Sequence, residues 1–143
     1  IYFVIAGDGP LAQDLKFKIK NLKLEKITNF VGAVPNIETP KYFAAADAFI
    51  LPSRQEGFPR VLIEVMAMNL PFVSMDVAGV RDITTTSQQK YIVPKGDLTA
   101  FNNKVVDLLN SKKTREQLSK EGGKQVKNYH LSVVAEKFYQ LLK

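Results

Sequence analysis

Apolar positions along this chain follow two alternating rhythms: short unbroken runs, and longer stretches where they recur every three or four residues. "IYFVIA" (1–6) predicts a buried strand, closed by the turn sequence "GDGP" with Pro10 near a helix start. Leu11, Leu15, Ile19 and Leu22 then stand at i, i+4, i+8 and i+11, the stripe of an amphipathic helix over about 11–22. "ITNFVG" (27–32) predicts a second strand, about 37–46 a short helix, and "AFILP" (48–52) a third strand. A helix over about 59–68 is apolar on nearly every side, and strand "PFVSMD" (71–76) follows it. "VAGVRDITTTSQQK" (77–90) reads as a loop leading to a short strand "YIVP" (91–94). Helical patterns then occupy 98–110, 113–129 and 132–143.

Strand–helix alternation predicts a Rossmann-like α/β fold, a parallel sheet with helices on both faces, here with a helical C-terminal tail. In such sheets ligands bind beyond the carboxyl ends of the strands. That directs attention to the loops "GDGP", "GAVPN", "SRQEGFP" and "VAGVR".

Composition narrows the chemistry. The 143 residues, 45% of them hydrophobic, fit a single domain with a genuine core. With no Cys and one His, disulfides, thiolate catalysis and a conventional zinc cluster are not expected. No apolar stretch reaches the roughly 20 residues that span a bilayer. The first residues carry no basic leader or cleavage signal, and the chain opens directly on a strand pattern, so an upstream segment is expected to be missing. The net charge of +6 gathers on Lys16, Lys18, Lys20, Lys23 and Lys26 and on the C-terminal third, including Lys112, Arg115, Lys120, Lys124, Lys137 and Lys143. Such faces are either simply solvated or weakly drawn to anionic lipid or another polyanion. Nucleic acid is not an expected partner, because the basic residues are not interleaved with aromatics.

Two carboxylates, Glu56 and Glu64, stand with seven residues between them in "PSRQEGFPRVLIEVMAMNLPFVSMD". Pro59 suits a first helical position, and Gly57 allows close approach of another molecule to the backbone. The amides of Gly57, Phe58, Arg60 and Val61 are then expected to point out of the helix start, where unpaired N–H groups and the helix dipole favour a phosphate. Glu64 stands among apolar neighbours and must find donors. One reading pairs it with Arg60, a weak arrangement in this order. The other turns it toward the vicinal hydroxyls of a ribose. Glu56 either complements the helix dipole or contacts the group beyond the phosphate. Phe58 is either a core residue or a stacking surface, and Met66, Met68 and Met75 read as packing. "GDGP" reads as a structural turn and His130 as a helix-junction residue.

The stretch "PSRQEGFPRVLIEVMAMNLPFVSMDVAGVRD" resembles the nucleotide-sugar-binding, C-terminal half of family 4, GT-B fold, retaining glycosyltransferases. The match runs through Pro52, Ser53, Glu56, Gly57, Phe58, Glu64, Met66, Ala67 and Pro71, and outward through "IAGDGP", "NFVGAV", "YFAAADAFILPS", "DVAGVRD" and "IVPKGD". The resemblance implies that Glu56, as the catalytic-site carboxylate, and the Gly57–Phe58–Pro59 turn face the transferred sugar. By the same resemblance Arg60 and its neighbouring amides face the phosphates, and Glu64 binds the ribose. Gly32, Ala33 and Val34 would cradle the base, and Gly79 would belong to a glycine loop beside the site. Departures are Val65 and Asn69, where Ala and Gly are usual, and Ala78 and Asp82, where Gly and Glu are usual. "SQQKYIVP" also lacks the usual Gly before the strand. Asn69 accepts the left-handed backbone that a helix end requires.

The resemblance implies a glycosyltransferase whose donor is a UDP-, GDP- or ADP-sugar, with no metal and no other cofactor. It also implies a glycan or lipid-linked acceptor held by an N-terminal domain absent from this chain, and pyrophosphate-gripping cations upstream of residue 1. The expected setting is cytoplasmic, peripheral on the inner face of a membrane, in cell-surface polysaccharide or lipopolysaccharide synthesis. The alternatives are a non-catalytic sugar-nucleotide-binding module and a nucleotide-sugar epimerase of GT-B shape.

Overall fold

The computed structural model of the protein describes residues 1–141, so the last two residues of the predicted C-terminal helix, Leu142 and Lys143, lie outside it. The chain forms two compact units, Ile1–Lys41 and Tyr42–Lys143.

In the first unit β1 (Phe3–Ala6) lies parallel to β2 (Thr28–Gly32), with Phe3 opposite Thr28, Ile5 opposite Phe30 and a bulge before the Ala6–Gly32 pair. Between them runs α1 (Ala12–Asn21), with Asp14 in its first turn and Lys18 and Lys20 in its last, each complementing the helix dipole. The helix ends in a Schellman arrangement: Lys23 takes φ +56°, its amide bonds to Lys20 O, and Leu24 N bonds to Ile19 O. A 3-10 turn, Glu25–Ile27, leads into β2. Lys16 Nζ lies 5.0 Å from the centroid of the Phe30 ring. The first strand is not buried as its apolar run predicts. Phe3 and Val4 remain 37% and 49% exposed; neighbours in a strand point to opposite faces, so neither face of this two-stranded sheet is fully enclosed at β1.

Helix α2 (Thr39–Ala45) carries the chain into the second unit. There β3 (Phe49–Leu51), β4 (Phe72–Met75) and β5 (Ile92–Val93) form a parallel sheet in that order. The central strand, β4, is buried at all four positions, as expected of a parallel strand covered on both faces. Its one hydroxyl, Ser74 Oγ, is satisfied by Met75 O at 2.8 Å. Helix α3 (Arg60–Ala67) crosses from β3 to β4, α6 (Leu98–Asn110) packs on β4, and α7 (Lys112–Gln125) packs on both α3 and α6. Leu62, Val65, Met66, Val73, Val80, Ile83 and Leu108 are the fully enclosed centre of the core. After a 3-10 turn, Val126–Tyr129, α8 (Leu131–Leu141) closes the described chain. No helix among the described residues is long and apolar enough to cross a membrane.

The predicted loop 77–90 is instead two single-turn helices, α4 (Val80–Ile83) and α5 (Thr86–Gln89). Helices of four residues show no apolar period, which is why patterning passes over them. Their signals are local: Gly79 at φ +78° starts α4, and a Thr85–Gln88 capping box starts α5.

Candidate functional site

Three loops leave the carboxyl ends of β3, β4 and β5 on one side of their parallel sheet, and the first two carry most of the predicted site. Pro52–Pro59 connects β3 to α3. Pro59 is buried and sits just before the helix rather than at its first position, with φ −80° and ψ +70°. The helix therefore opens on Arg60. Its amide is not free as predicted, because it bonds back to Phe58 O at 2.9 Å, while Leu62 N reaches Pro59 O at 2.9 Å. The amides of Gly57, Phe58 and Val61 have no acceptor among the described residues. A helix start with exposed, unpaired N–H groups and the positive end of the helix dipole is an environment for an anion.

Glu56 is half-buried, and its Oε1 accepts a 2.7 Å hydrogen bond from Ser53 Oγ, which fixes the carboxylate in the turn. Ser53 stands three residues before Glu56, and that S-x-x-E spacing is the signal that could have found the bond in advance.

Glu64 corrects the sequence reading. It is exposed, not enclosed: Leu62, Val65 and Met66 form the one buried face of α3, while Val61 and Ile63 are only half-buried. Water therefore solvates the carboxylate, and the desolvation that was expected to demand a partner does not arise. The pairing with Arg60 is not formed either, since neither side chain has a hydrogen bond or ion pair among the described residues. Glu64 projects from the second turn of α3 with both oxygens open.

Gly79 is the point where the second loop meets the first. In the left-handed conformation, a Cβ added at this residue would lie 3.1 Å from Phe58 Cδ2 and 3.4 Å from Pro59 Cδ. Phe58 is 46% exposed, so the core alternative weighed for it is replaced by a ring lying partly open over the turn. Asp76, at the end of β4, receives Arg81 Nε and Nη2 in a two-pronged bond of 2.8–3.1 Å. The Asp76 carboxylate raises the Arg81 pKa above its ordinary value, through the hydrogen bond first. The two positions are five apart and share no helical or strand register, so no pattern in the sequence announces the pair.

In the first unit, Gly32 ends β2 at φ +72°, and its carbonyl accepts from the Gly7 amide at 2.7 Å. Ala33 is exposed and Val34 half-buried. "GDGP" is the expected structural turn: Asp8 Oδ1 accepts from the Gly9 amide at 2.8 Å and Gly9 O from the Ala12 amide at 3.0 Å. His130 sits at the junction before α8, its Nδ1 2.9 Å from Ser132 Oγ. Of the packing methionines, Met66 and Met75 are buried, whereas Met68 is 38% exposed. It lines an open hollow of about 600 Å³ between Phe43, Leu70 and Lys120, distant in the sheet from the carboxyl-end loops.

The chain is similar to known glycosyltransferases. Residues 1–125 match the family model for glycosyl transferases group 1. The chain is 35% identical over 105 residues to the amylovoran biosynthesis glycosyltransferase AmsK of Erwinia amylovora, covering 69% of this chain and 26% of that protein. It is 30% identical over 141 residues to the GalNAc-alpha-(1->4)-GalNAc-alpha-(1->3)-diNAcBac-PP-undecaprenol alpha-1,4-N-acetyl-D-galactosaminyltransferase of Campylobacter jejuni, covering 98% of this chain and 38% of that protein. The solved structure of Anabaena Alr3699/HepE in complex with UDP and glucose superimposes with a TM-score of 0.81 at 20% identity, over 97% of this chain and 39% of the other. The fold is thus the α/β, GT-B-type architecture expected, and the chain spans well under half the length of these proteins. By the extent of the family match, the chain belongs to the glycosyl transferases group 1 family.

Proposed function

We propose that this chain is the donor-binding, C-terminal half of a family 4, GT-B retaining glycosyltransferase. Its substrate is a nucleoside-diphosphate sugar, and the whole protein passes the sugar to an acceptor hydroxyl with retention at the anomeric carbon. The observation that carries the reading is the turn after β3, with amides of Gly57, Phe58 and Val61 that lack acceptors among the described residues and a left-handed Gly79 where an added Cβ would meet Phe58.

In this reading the diphosphate lies over the start of α3. The free amides and the helix dipole stabilise the negative charge that grows on the departing diphosphate as the glycosidic bond breaks. Glu56, held by Ser53 through one oxygen, offers the other to hydroxyls of the transferred sugar and fixes its orientation. Gly57 and Phe58 form the floor beneath that sugar, and Pro59 fixes the entry to the helix. Arg60, exposed at the first helical position and without an ion pair among the described residues, adds positive charge near the phosphates. Glu64 accepts hydrogen bonds from the ribose hydroxyls, a role its exposure permits and its burial no longer forces. No metal or further cofactor has a part in the scheme.

The acceptor is a glycan or lipid-linked glycan in cell-surface polysaccharide synthesis. The similarity to an amylovoran enzyme and to one named for an undecaprenol-linked acceptor supports this, and the setting proposed with it is the cytoplasmic face of a membrane. The test is calorimetric titration of the full-length protein with UDP, GDP and ADP. Binding of one of them, weakened in Glu64→Ala, is the expected result; no binding of any overturns the reading. An acceptor assay with anomeric analysis of the product separates transfer with retention from inversion and from epimerisation.

A further inference from the structure

We propose that Asp76 and Arg81 form a positioning clasp that holds the Gly79 loop against Phe58 and so sets the direction of the amides at the start of α3. This rests on the donor-binding reading above. The loop is pinned at both ends. Asp76 N bonds to Val93 O at 2.7 Å, which ties the residue to β5 as it leaves β4. Arg81 O accepts from Gln89 Nε2 at 3.1 Å, which ties the other end to α5. The side chains of the same two residues then close the loop on itself, Arg81 Nε to Asp76 Oδ2 at 2.9 Å and Nη2 to Oδ2 at 2.8 Å. Within the loop, Val77 and Val80 are buried and fix its inner side, and Val80 N bonds to Val77 O at 3.2 Å. Between them Ala78 is exposed and Gly79 half-buried, and the place where a Gly79 Cβ would stand is bordered by Phe58 Cδ2 at 3.1 Å and Pro59 Cδ at 3.4 Å.

The pair is 48% and 36% exposed, so its contribution to global stability is small. Its value is geometric. A guanidinium fork on a carboxylate restricts both chain ends at once, whereas a lysine in the same place offers only a point charge. With its fork committed to Asp76, Arg81 acts on a ligand through the loop it holds, not by direct contact. Among the described residues the turn that carries Gly57 and Phe58 has no side-chain hydrogen bond apart from Ser53 to Glu56, so the Gly79 loop beside Phe58 is what limits where its N–H groups aim.

The experiment uses the full-length protein with a fluorine-labelled phenylalanine at position 58, titrated with UDP. Variants are Arg81→Gln, Arg81→Lys, Asp76→Asn and the exchanged pair Asp76→Arg with Arg81→Asp. The clasp predicts that the Phe58 fluorine resonance moves in Arg81→Gln and Asp76→Asn before any ligand is added. It further predicts that UDP binding weakens roughly fivefold in both, as befits an exposed but two-pronged pair. Arg81→Lys recovers only part of the affinity, the exchanged pair most of it, and thermal midpoints stay within about 2 °C of wild type. If wild type binds UDP and the variants bind it equally well with an unmoved resonance, the clasp is refuted while the donor reading stands. If wild type binds no nucleoside diphosphate, the donor reading fails and takes the proposed purpose of the clasp with it.

Discussion

Gly79 sits so close to Phe58 that a single added methyl group would lie 3.1 Å from the ring edge, with the Pro59 ring 3.4 Å away on the same side. The residue is also left-handed, at φ +78°. Two independent costs therefore meet in Gly79→Ala: about 1–2 kcal/mol for the backbone of a residue with a Cβ, and displacement of Phe58. The variant is expected to fold with a thermal midpoint lowered by several degrees and to lose affinity for UDP beyond what its stability explains. Melting curves with and without UDP separate the two effects: the ligand-induced rise in midpoint should shrink in the variant. An undiminished rise would show that Phe58 and the helix start do not depend on Gly79.

Glu64 supplies the opposite case, a residue whose loss should leave stability untouched. It is exposed and without a side-chain partner among the described residues, so Glu64→Ala removes no side-chain hydrogen bond or ion pair seen there. If its carboxylate binds the ribose, the lost charge-assisted hydrogen bonds weaken UDP roughly tenfold to a hundredfold. A matched titration with 2′-deoxy-UDP sharpens the point. Wild type should bind it more weakly than UDP, and Glu64→Ala should scarcely distinguish the two. Equal loss for both ligands would move Glu64 away from the sugar hydroxyls.

The contrast between these residues shows what was legible in the sequence. The order of strands and the long helices followed from apolar runs and helical spacing, because burial in the second unit writes itself into every position of β4 and one face of α3. Asn69 at φ +53° was legible too, as the left-handed end that a Gly-less helix needs. What failed was the inference from composition to enclosure. Val61 and Ile63 are apolar yet half-buried, so a helix can look greasy all round while one side stays wet and carries a charge. The α4 and α5 turns, the Ser53–Glu56 bond and the Asp76–Arg81 pair depend on chain geometry over three to five residues that no periodicity encodes.

Gly122 was passed over in the sequence and proves to be a close approach between α7 and α3. A Cβ there would lie 2.7 Å from Gln88 Nε2 and 3.1 Å from Met66 Cγ. Alanine brings about 1 kcal/mol of helix propensity, but Gln88 is 2% exposed and its Oε1 accepts from the Thr85 amide, so it cannot swing aside without opening the α5 capping box. Overpacking of this kind costs about 1–3 kcal/mol and outweighs the gain. Gly123→Ala meets the Asn69 side chain, at its Oδ1 and at Cγ 3.2 Å away, and Met66 O at an ordinary 3.8 Å; Asn69 is exposed and its side chain can rotate away. Denaturant titration should therefore find Gly122→Ala destabilised and Gly123→Ala neutral or slightly stabilised, although the two sites are adjacent in one helix.

Glu121, next to that contact, links α7 to α5 and gives the domain an acid limb. Its Oε1 accepts from Gln117 Nε2 at 2.9 Å and its Oε2 from Thr85 Oγ1 at 3.2 Å. The hydrogen bond from Gln117 is the main force holding its carboxyl below the ordinary value, with Ser87, Thr85 and Lys90 acting in the same direction against partial desolvation. A carboxyl group with a depressed folded pKa is protonated more readily in the unfolded chain. Its contribution to stability is therefore whole above the ordinary carboxylate range and is lost as pH falls through the folded value. Between about pH 5 and about pH 3 the urea midpoint of wild type should fall more steeply than that of Glu121→Gln, which has no proton to gain. Above about pH 6 the two curves should run parallel, wild type higher because only the carboxylate accepts at both oxygens. Curves that stay parallel down to about pH 3 would mean that Glu121 titrates alike in the folded and unfolded chains, and that the tie between α7 and the α5 capping box does not depend on its charge.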